Sequence, residues 1–187
     1  FREKGLEGFY PEGYGNPYHT KEYREYLSEN GYGNPVFHQE WGMPTVFKQE
    51  NGRIISEKTY ENGDYDLTET DNFNMYSAGI LKDTGKVHES DFITNSAFEW
   101  MENCSQAGQP FAVRVDMWGP HHAYQVPWEM KDLLEADEIM EYPTFREPPS
   151  EKAKMVQDFR ERIHDRNPLR SWEDWQPLMK RAYEHYS

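Results

Sequence analysis

The chain of 187 residues has a single cysteine, no long apolar run and few basic residues for its number of acidic ones. The lone thiol, Cys104, excludes an internal disulfide and a cysteine-rich metal site. No segment approaches the roughly 18 apolar residues that a membrane-spanning helix needs, so we expect no membrane association. With 20 Lys and Arg against 34 Asp and Glu, the formal net charge is −14, which argues against nucleic acid as a partner because phosphate binding depends on basic side chains.

What the sequence does contain is typical of a globular protein with wide polar loops. Aromatic residues make up 16% of the chain, including 6 Trp and 13 Tyr, beside 29% charged residues. The length suits one domain. Because the sequence opens on Phe1 without a Met and closes within a helical pattern, we expect residues 1–187 to form a single partial domain of a longer protein. No signal indicates a cellular compartment.

The first half of the sequence predicts one helix and a small antiparallel insertion. The phrase Gly-Tyr-Gly-Asn-Pro occurs at 13–17 and again at 31–35, and these turn-forming steps flank a helix predicted at residues 20–29. From residue 44 to 70, three short β runs are separated by Glu-Asn-Gly at 50–52 and 61–63. Asn-Gly is a strong hairpin signal. We therefore predict a three-stranded meander, within a β-hairpin insertion spanning about 40–75.

A helix followed by a strand is predicted in the middle of the chain. Residues 90–107 place Ile93, Ala97, Trp100, Met101 and Cys104 at helical spacing, with Ser90 or Asp91 at the start. After Gly108, residues 111–118 alternate in the manner of a strand covered by helices. This layout predicts an α/β fold, whose ligands bind beyond the carboxyl ends of the strands. The adjacent pair His121 and His122 would lie at such an end.

The remainder of the chain is predicted to be helical. Ser150 would cap a helix that carries Met155, Val156, Phe159 and Ile163 on one face. A last helix opens at Ser171, with Asp174 three residues on in the pattern of a capping box. Pro177 is unfavourable inside a helix, so the regular part of this helix is expected to begin there.

Several kinds of chemistry are disfavoured by the residues themselves. The seven histidines show no His-x-x-x-His spacing, and adjacent histidines point apart in extended backbone, so no metal site is predicted in this chain. There is neither a Gly-x-Ser-x-Gly nucleophile turn nor a phosphate-binding glycine loop. Cys104 is expected to be buried and inert. Asp116 is expected to pair with Arg114 rather than to act in catalysis.

Residues 88–134 resemble the central segment of the sulfatase family, within the alkaline-phosphatase-like superfamily. The resemblance is carried by Gln109-Pro110-Phe111 at the entry of the predicted strand, by Pro120-His121 after it, and by Pro127 downstream. The stretch "GLEGFYPEGYG" and the final "WQPLMKRAYEHYS" are also similar to family segments. The family usually has Pro two residues after the His, whereas this chain has Ala123 there, preceded by a second histidine.

The resemblance implies an α/β sulfatase domain of which this chain is the middle part, with a central sheet strand flanked by helices. It assigns His121 as the catalytic residue that assists departure of the leaving oxygen, and it places His121 and His122 in substrate binding. Formylglycine and calcium would come from segments outside these residues, because the Cys-x-Pro-x-Arg motif is not in this sequence. The partner would be a small-molecule or glycan sulfate ester.

Two alternatives stay open at the level of sequence. A phosphodiesterase or phosphoglycerol-transferase relative of the same superfamily would use another nucleophile and metal. A carbohydrate-binding or interaction module would use the abundant Tyr and Trp side chains for stacking. If the chain is a fragment of such an enzyme, it is expected to be inactive on its own. It is also expected to self-associate, because the apolar face of the last helix and the strand 111–118 would lack neighbours.

Overall fold

A computed structural model describes residues 17–42, 45–50, 53–59, 61–69, 77–117, 119, 121, 123–158 and 171–187. The predictions for His122, Phe159 and Ile163, and for the first copy of the repeated phrase before Pro17, concern residues outside these ranges. Among the described helices, none is both long and apolar enough to span a bilayer.

The fold is mixed α/β, built on a four-stranded sheet. Its strands are β1 (Val36–Gly42), β4 (Gly63–Asp66), β5 (Ser77–Leu81) and β6 (Tyr124–Pro127), in the order β4-β1-β5-β6. Strand β1 pairs antiparallel with both β4 and β5, whereas β5 and β6 are parallel. A parallel pair requires a long crossover connection, and here the crossover contains helix α2 (Glu89–Gln106).

The antiparallel insertion differs in part from the predicted meander. Strands β2 (Thr45–Glu50) and β3 (Arg53–Thr59) form the predicted hairpin as a separate two-stranded sheet. The third predicted strand joins the main sheet as β4 instead of extending the hairpin. Its partner β1 precedes the insertion in sequence, so the hairpin is inserted between two neighbouring strands of one sheet.

Local capping signals place the helices where the sequence predicts them. Helix α1 (Lys21–Asn30) begins after Thr20, whose hydroxyl accepts from the Tyr23 N–H, and ends at Gly31 with φ of 69°. Helix α3 (Trp172–Tyr186) begins after Ser171 with the reciprocal capping box to Asp174. Pro177 lies inside α3, so the prediction that the regular helix starts at Pro177 is wrong. The capping box stabilises the first turn before the proline is reached.

Three other local predictions need correction. Ser150 lies within a short 3-10 turn, Pro149–Glu151, and the α-helical residues there begin at 154. Helix α2 is capped by His88 rather than by Ser90 or Asp91. Cys104 is half-buried instead of buried. The α2 apolar face is only partly covered.

The largest correction concerns residues 111–118, predicted as the central sheet strand. Residues 111–117 belong to neither sheet of the described structure and are exposed, and Trp118 lies outside the described residues. Arg114 donates to Asp116 at 2.8 Å, which confirms that predicted pair. The alternating pattern gives this segment the side chains of a strand, but strand formation also requires a neighbour to accept its backbone hydrogen bonds.

The hydrophobic core lies between α1, the sheet and the start of α2. Its buried residues are Tyr18, Tyr23, Leu27, Phe37, Leu67, Leu81, Val87 and Phe92. The Tyr23 ring contacts Tyr18 and Phe92 edge to face, at centroid distances of 5.1 and 5.2 Å. Its hydroxyl donates to the Val87 carbonyl at 2.5 Å. The core therefore ties α1 to the residues that lead directly into α2.

Candidate functional site

The predicted site residue His121 lies on an exposed loop just before strand β6. Because residues 111–117 do not form a strand, His121 is not at the carboxyl end of a strand as predicted. It instead precedes the first residue of β6, Tyr124. The loop is anchored by Ala123, which is 5% exposed. The predicted partner His122 falls outside the described residues.

Beneath this loop, the fold brings together two histidines that sequence reasoning did not single out as site residues. His88 comes from the start of α2 and His185 from the last turn of α3. Their ring centroids are 5.7 Å apart, and the Tyr124 ring lies 5.9 Å from that of His185. The loop touches this cluster through Gly119, since a Cβ on that residue would lie 3.2 Å from His185 Nε2.

Strand β6 supplies the polar centre of the cluster through Gln125. The Gln125 side-chain oxygen accepts a hydrogen bond from the Tyr18 hydroxyl at 2.9 Å, and its backbone carbonyl lies 3.3 Å from His185 Nδ1. The Tyr18 hydroxyl also accepts from the Glu89 N–H at 3.3 Å. Burial raises the pKa of Tyr18 well above its usual value, and the nearby Glu89 carboxylate raises it further. Tyr18 is therefore a neutral donor at neutral pH.

Hydrogen bonds define the tautomers of the buried His88 and the half-buried His185. His88 Nδ1 accepts from the Ser90 N–H at 3.1 Å, so the proton of neutral His88 is on Nε2. His185 Nδ1 faces the Gln125 carbonyl and must donate to it, so its Nε2 carries the lone pair. Both Nε2 atoms are buried without a hydrogen-bond partner among the described residues. A metal ion would need a lone pair on each, which the contact between His88 and Ser90 opposes.

Both histidines are neutral at neutral pH. Burial, together with a smaller effect of the neighbouring His185, lowers the pKa of His88 to about 4, against the opposing effects of the Gln125 carbonyl and Asp91. Burial also lowers the pKa of His185, again opposed by the Gln125 carbonyl. Neither is suited to deliver a proton near neutral pH, whereas His121 is exposed to solvent and to an approaching ligand.

The signals that could have revealed this cluster are partial. A histidine directly before a predicted helix is an N-cap candidate, because a ring nitrogen can accept from the N–H two residues on, as His88 does from Ser90. Nothing local to His185 indicates that it would meet His88. That encounter depends on α3 packing against β6.

No family model matches this chain, and neither the curated proteins nor the solved structures contain a match to it. The functional proposal therefore depends on the fold and on the geometry of the site.

Within the described residues, no group of three or more His, Cys, Asp or Glu side chains is placed to hold a metal ion.

Proposed function

We propose that this chain is the central part of a sulfatase catalytic domain and that His121 acts on the leaving oxygen of a sulfate ester. The observation that carries the proposal is the exposed side chain of His121, two residues from Gly119, which packs against the half-buried His185. A general acid that serves a substrate must be reached from solvent. The exposure of His121 supports this role.

The chemistry asked of His121 is a single proton transfer. As the bond between sulfur and the ester oxygen breaks, the leaving oxygen gains negative charge. The imidazolium N–H of His121 gives its proton to that oxygen, and an alcohol departs. Histidine is the side chain that most often serves as a general acid or base in proteins. Formylglycine and calcium are expected outside these residues, and no step is assigned to them here.

Substitution of His121 tests the proposal in the full-length protein that contains this chain. His121→Ala is expected to lower sulfate-ester turnover by roughly 10²-fold or more, because general acid catalysis contributes about that much. His38→Ala serves as the matched control, since His38 is an exposed histidine on β1 paired with Asp64 at 2.7 Å. Turnover within about threefold of the unsubstituted protein, for an ester whose poor leaving group needs protonation, contradicts the assigned role.

The same preparations distinguish the alternative functions. Turnover of phosphate diesters in place of sulfate esters would favour a phosphodiesterase relative. Binding of a sulfated glycan without turnover would favour a carbohydrate-binding module, which the exposed Trp128 and the edge-to-face pair of Trp100 and Phe111 at 5.7 Å could serve by stacking. Either result would overturn the sulfatase proposal.

A further inference from the structure

His185 is held on three sides by the elements that surround it. Its ring contacts the rings of His88 and Tyr124, at centroid distances of 5.7 and 5.9 Å. Its Nδ1 faces the Gln125 carbonyl at 3.3 Å. An imidazole that packs against two rings and is hydrogen-bonded to a strand has limited freedom to move away from a fourth neighbour.

That fourth neighbour is Gly119, in the loop that carries His121. A Cβ at residue 119 would lie 3.2 Å from His185 Nε2 and 3.8 Å from its Cδ2. The glycines with positive φ in the described structure are Gly31, Gly63 and Gly108, so Gly119 has a backbone conformation that alanine also adopts. Glycine is therefore needed at this position because of the close contact with His185, and not because of its backbone conformation.

We propose that His185 is a positioning residue for His121, because its ring packs against Gly119, two residues before His121. The proposal rests on the proposed function for the role of His121. The positioning itself is a property of the chain and needs no reaction to be observed. His185 does not act on a substrate. It acts through its contact with Gly119, and the ring of His88 packs against the ring of His185.

A double-substitution cycle on Gly119 and His185 tests this contact. The readout is the rate at which diethyl pyrocarbonate modifies His121, located by peptide fragmentation. Gly119→Ala is expected to displace the loop and to raise this rate about two- to fivefold, in keeping with the coupling seen between contacting residues. In a His185→Ala background, the added methyl group meets no imidazole, so the same substitution is expected to change the rate by less than about 1.5-fold.

Gly33→Ala is the matched control for the cycle. A Cβ at Gly33 would meet no atom within 4 Å, and Gly33 also lacks a positive φ. This substitution adds the same methyl group without a new contact, so the His121 modification rate is expected to stay unchanged. If the role of His185 were purely structural, His185→Ala would lower the stability of the protein. The effect of Gly119→Ala on the His121 modification rate would then be the same with either residue at position 185.

Two results would overturn the proposal: an equal effect of Gly119→Ala in both backgrounds, or no effect in either. If Gly119→Ala does not fold, recovery of a cooperative unfolding transition in the double variant supports the contact, and its absence overturns it. Failure of the sulfatase proposal is recognised separately. In that case the coupling is present in the chain, while His121→Ala leaves sulfate-ester turnover of the full-length protein intact.

Discussion

His88 combines two roles that constrain its protonation. One ring nitrogen caps α2 by accepting from Ser90, and the rest of the ring is buried against His185. A proton added to Nδ1 would break the capping contact and place a charge in a desolvated position. Protonation of His88 would therefore weaken the cap at the start of α2, so the stability of this helix start depends on pH.

The pH dependence of stability follows from this burial. The pKa of His88 falls from 6.5 to about 4 on folding, so the unfolded chain binds the proton more tightly between these values. The free energy of unfolding should therefore fall as the pH is lowered through this window, by up to about 1.4 kcal/mol per pH unit. The lowered pKa of His185 acts in the same direction.

Denaturant unfolding at pH 7, 6 and 5 measures this slope. His88→Asn is the informative variant, because asparagine can still cap the helix but does not titrate. It should show a shallower loss of stability toward pH 5 than the unsubstituted chain. If the free energy of unfolding falls equally with pH in the two proteins, His88 does not take up a proton on unfolding as inferred.

Sequence reasoning reached His121 but not this pair, for a physical reason. His121 is marked by its neighbours, since Gly119-Pro120 precedes it and a resemblance to a family motif surrounds it. His88 and His185 are far apart in the chain and become neighbours only when α3 packs on β6. A search for paired ligands at short spacing cannot detect a pair that tertiary packing creates.

At the scale of elements, Arg181 attaches α3 to Glu40 of strand β1. Its guanidinium forms two bonds to Glu40, at 2.6 and 2.9 Å, and a third to Glu184 at 2.6 Å. It also donates to the Lys131 carbonyl at 2.6 Å. Glu184 is fully buried, so its charge depends on Arg181 and on the more distant Lys180, 3.7 Å away.

Removal of this guanidinium should be costly. Arg181→Ala leaves the buried Glu184 carboxylate without its main partner, and we expect a loss of about 3–5 kcal/mol in the free energy of unfolding. Arg146→Ala is the matched control, since Arg146 makes a comparable two-bond contact to Glu141 at 2.6 and 2.8 Å on the surface. There we expect almost no change. Similar losses in both variants would contradict the importance assigned to burial.

The elements also show which kinds of sequence signal are reliable here. Thr20, Gly31 and Ser171 act through hydrogen bonds within a few residues, and the helices they bound form as predicted. Residues 111–118 carry an equally clear alternation, yet 111–117 form no strand. An alternating pattern specifies two faces but not the neighbour that must pair with the backbone. Helix boundaries are local information, whereas sheet membership is not.

At the scale of the whole molecule, the segment 111–117 leaves an apolar row exposed. Phe111, Val113, Val115 and Met117 are 43%, 43%, 39% and 40% exposed. They alternate with Ala112, Arg114 and Asp116 along a stretch outside both described sheets. An exposed apolar segment that pairs with no strand among the described residues favours association with another chain.

We therefore expect the 187-residue chain to self-associate in a concentration-dependent manner, measured by light scattering coupled to size exclusion. Replacing Val113 and Val115 with Lys should reduce this association with little effect on the unfolding transition, because both side chains are already exposed. Replacing the exposed Met140 and Met155 with Lys adds the same charge outside this segment, and should leave association largely unchanged. A stable monomer with a cooperative melt would instead mean that residues 111–117 need no partner, and it would count against their proposed place in a larger sulfatase domain.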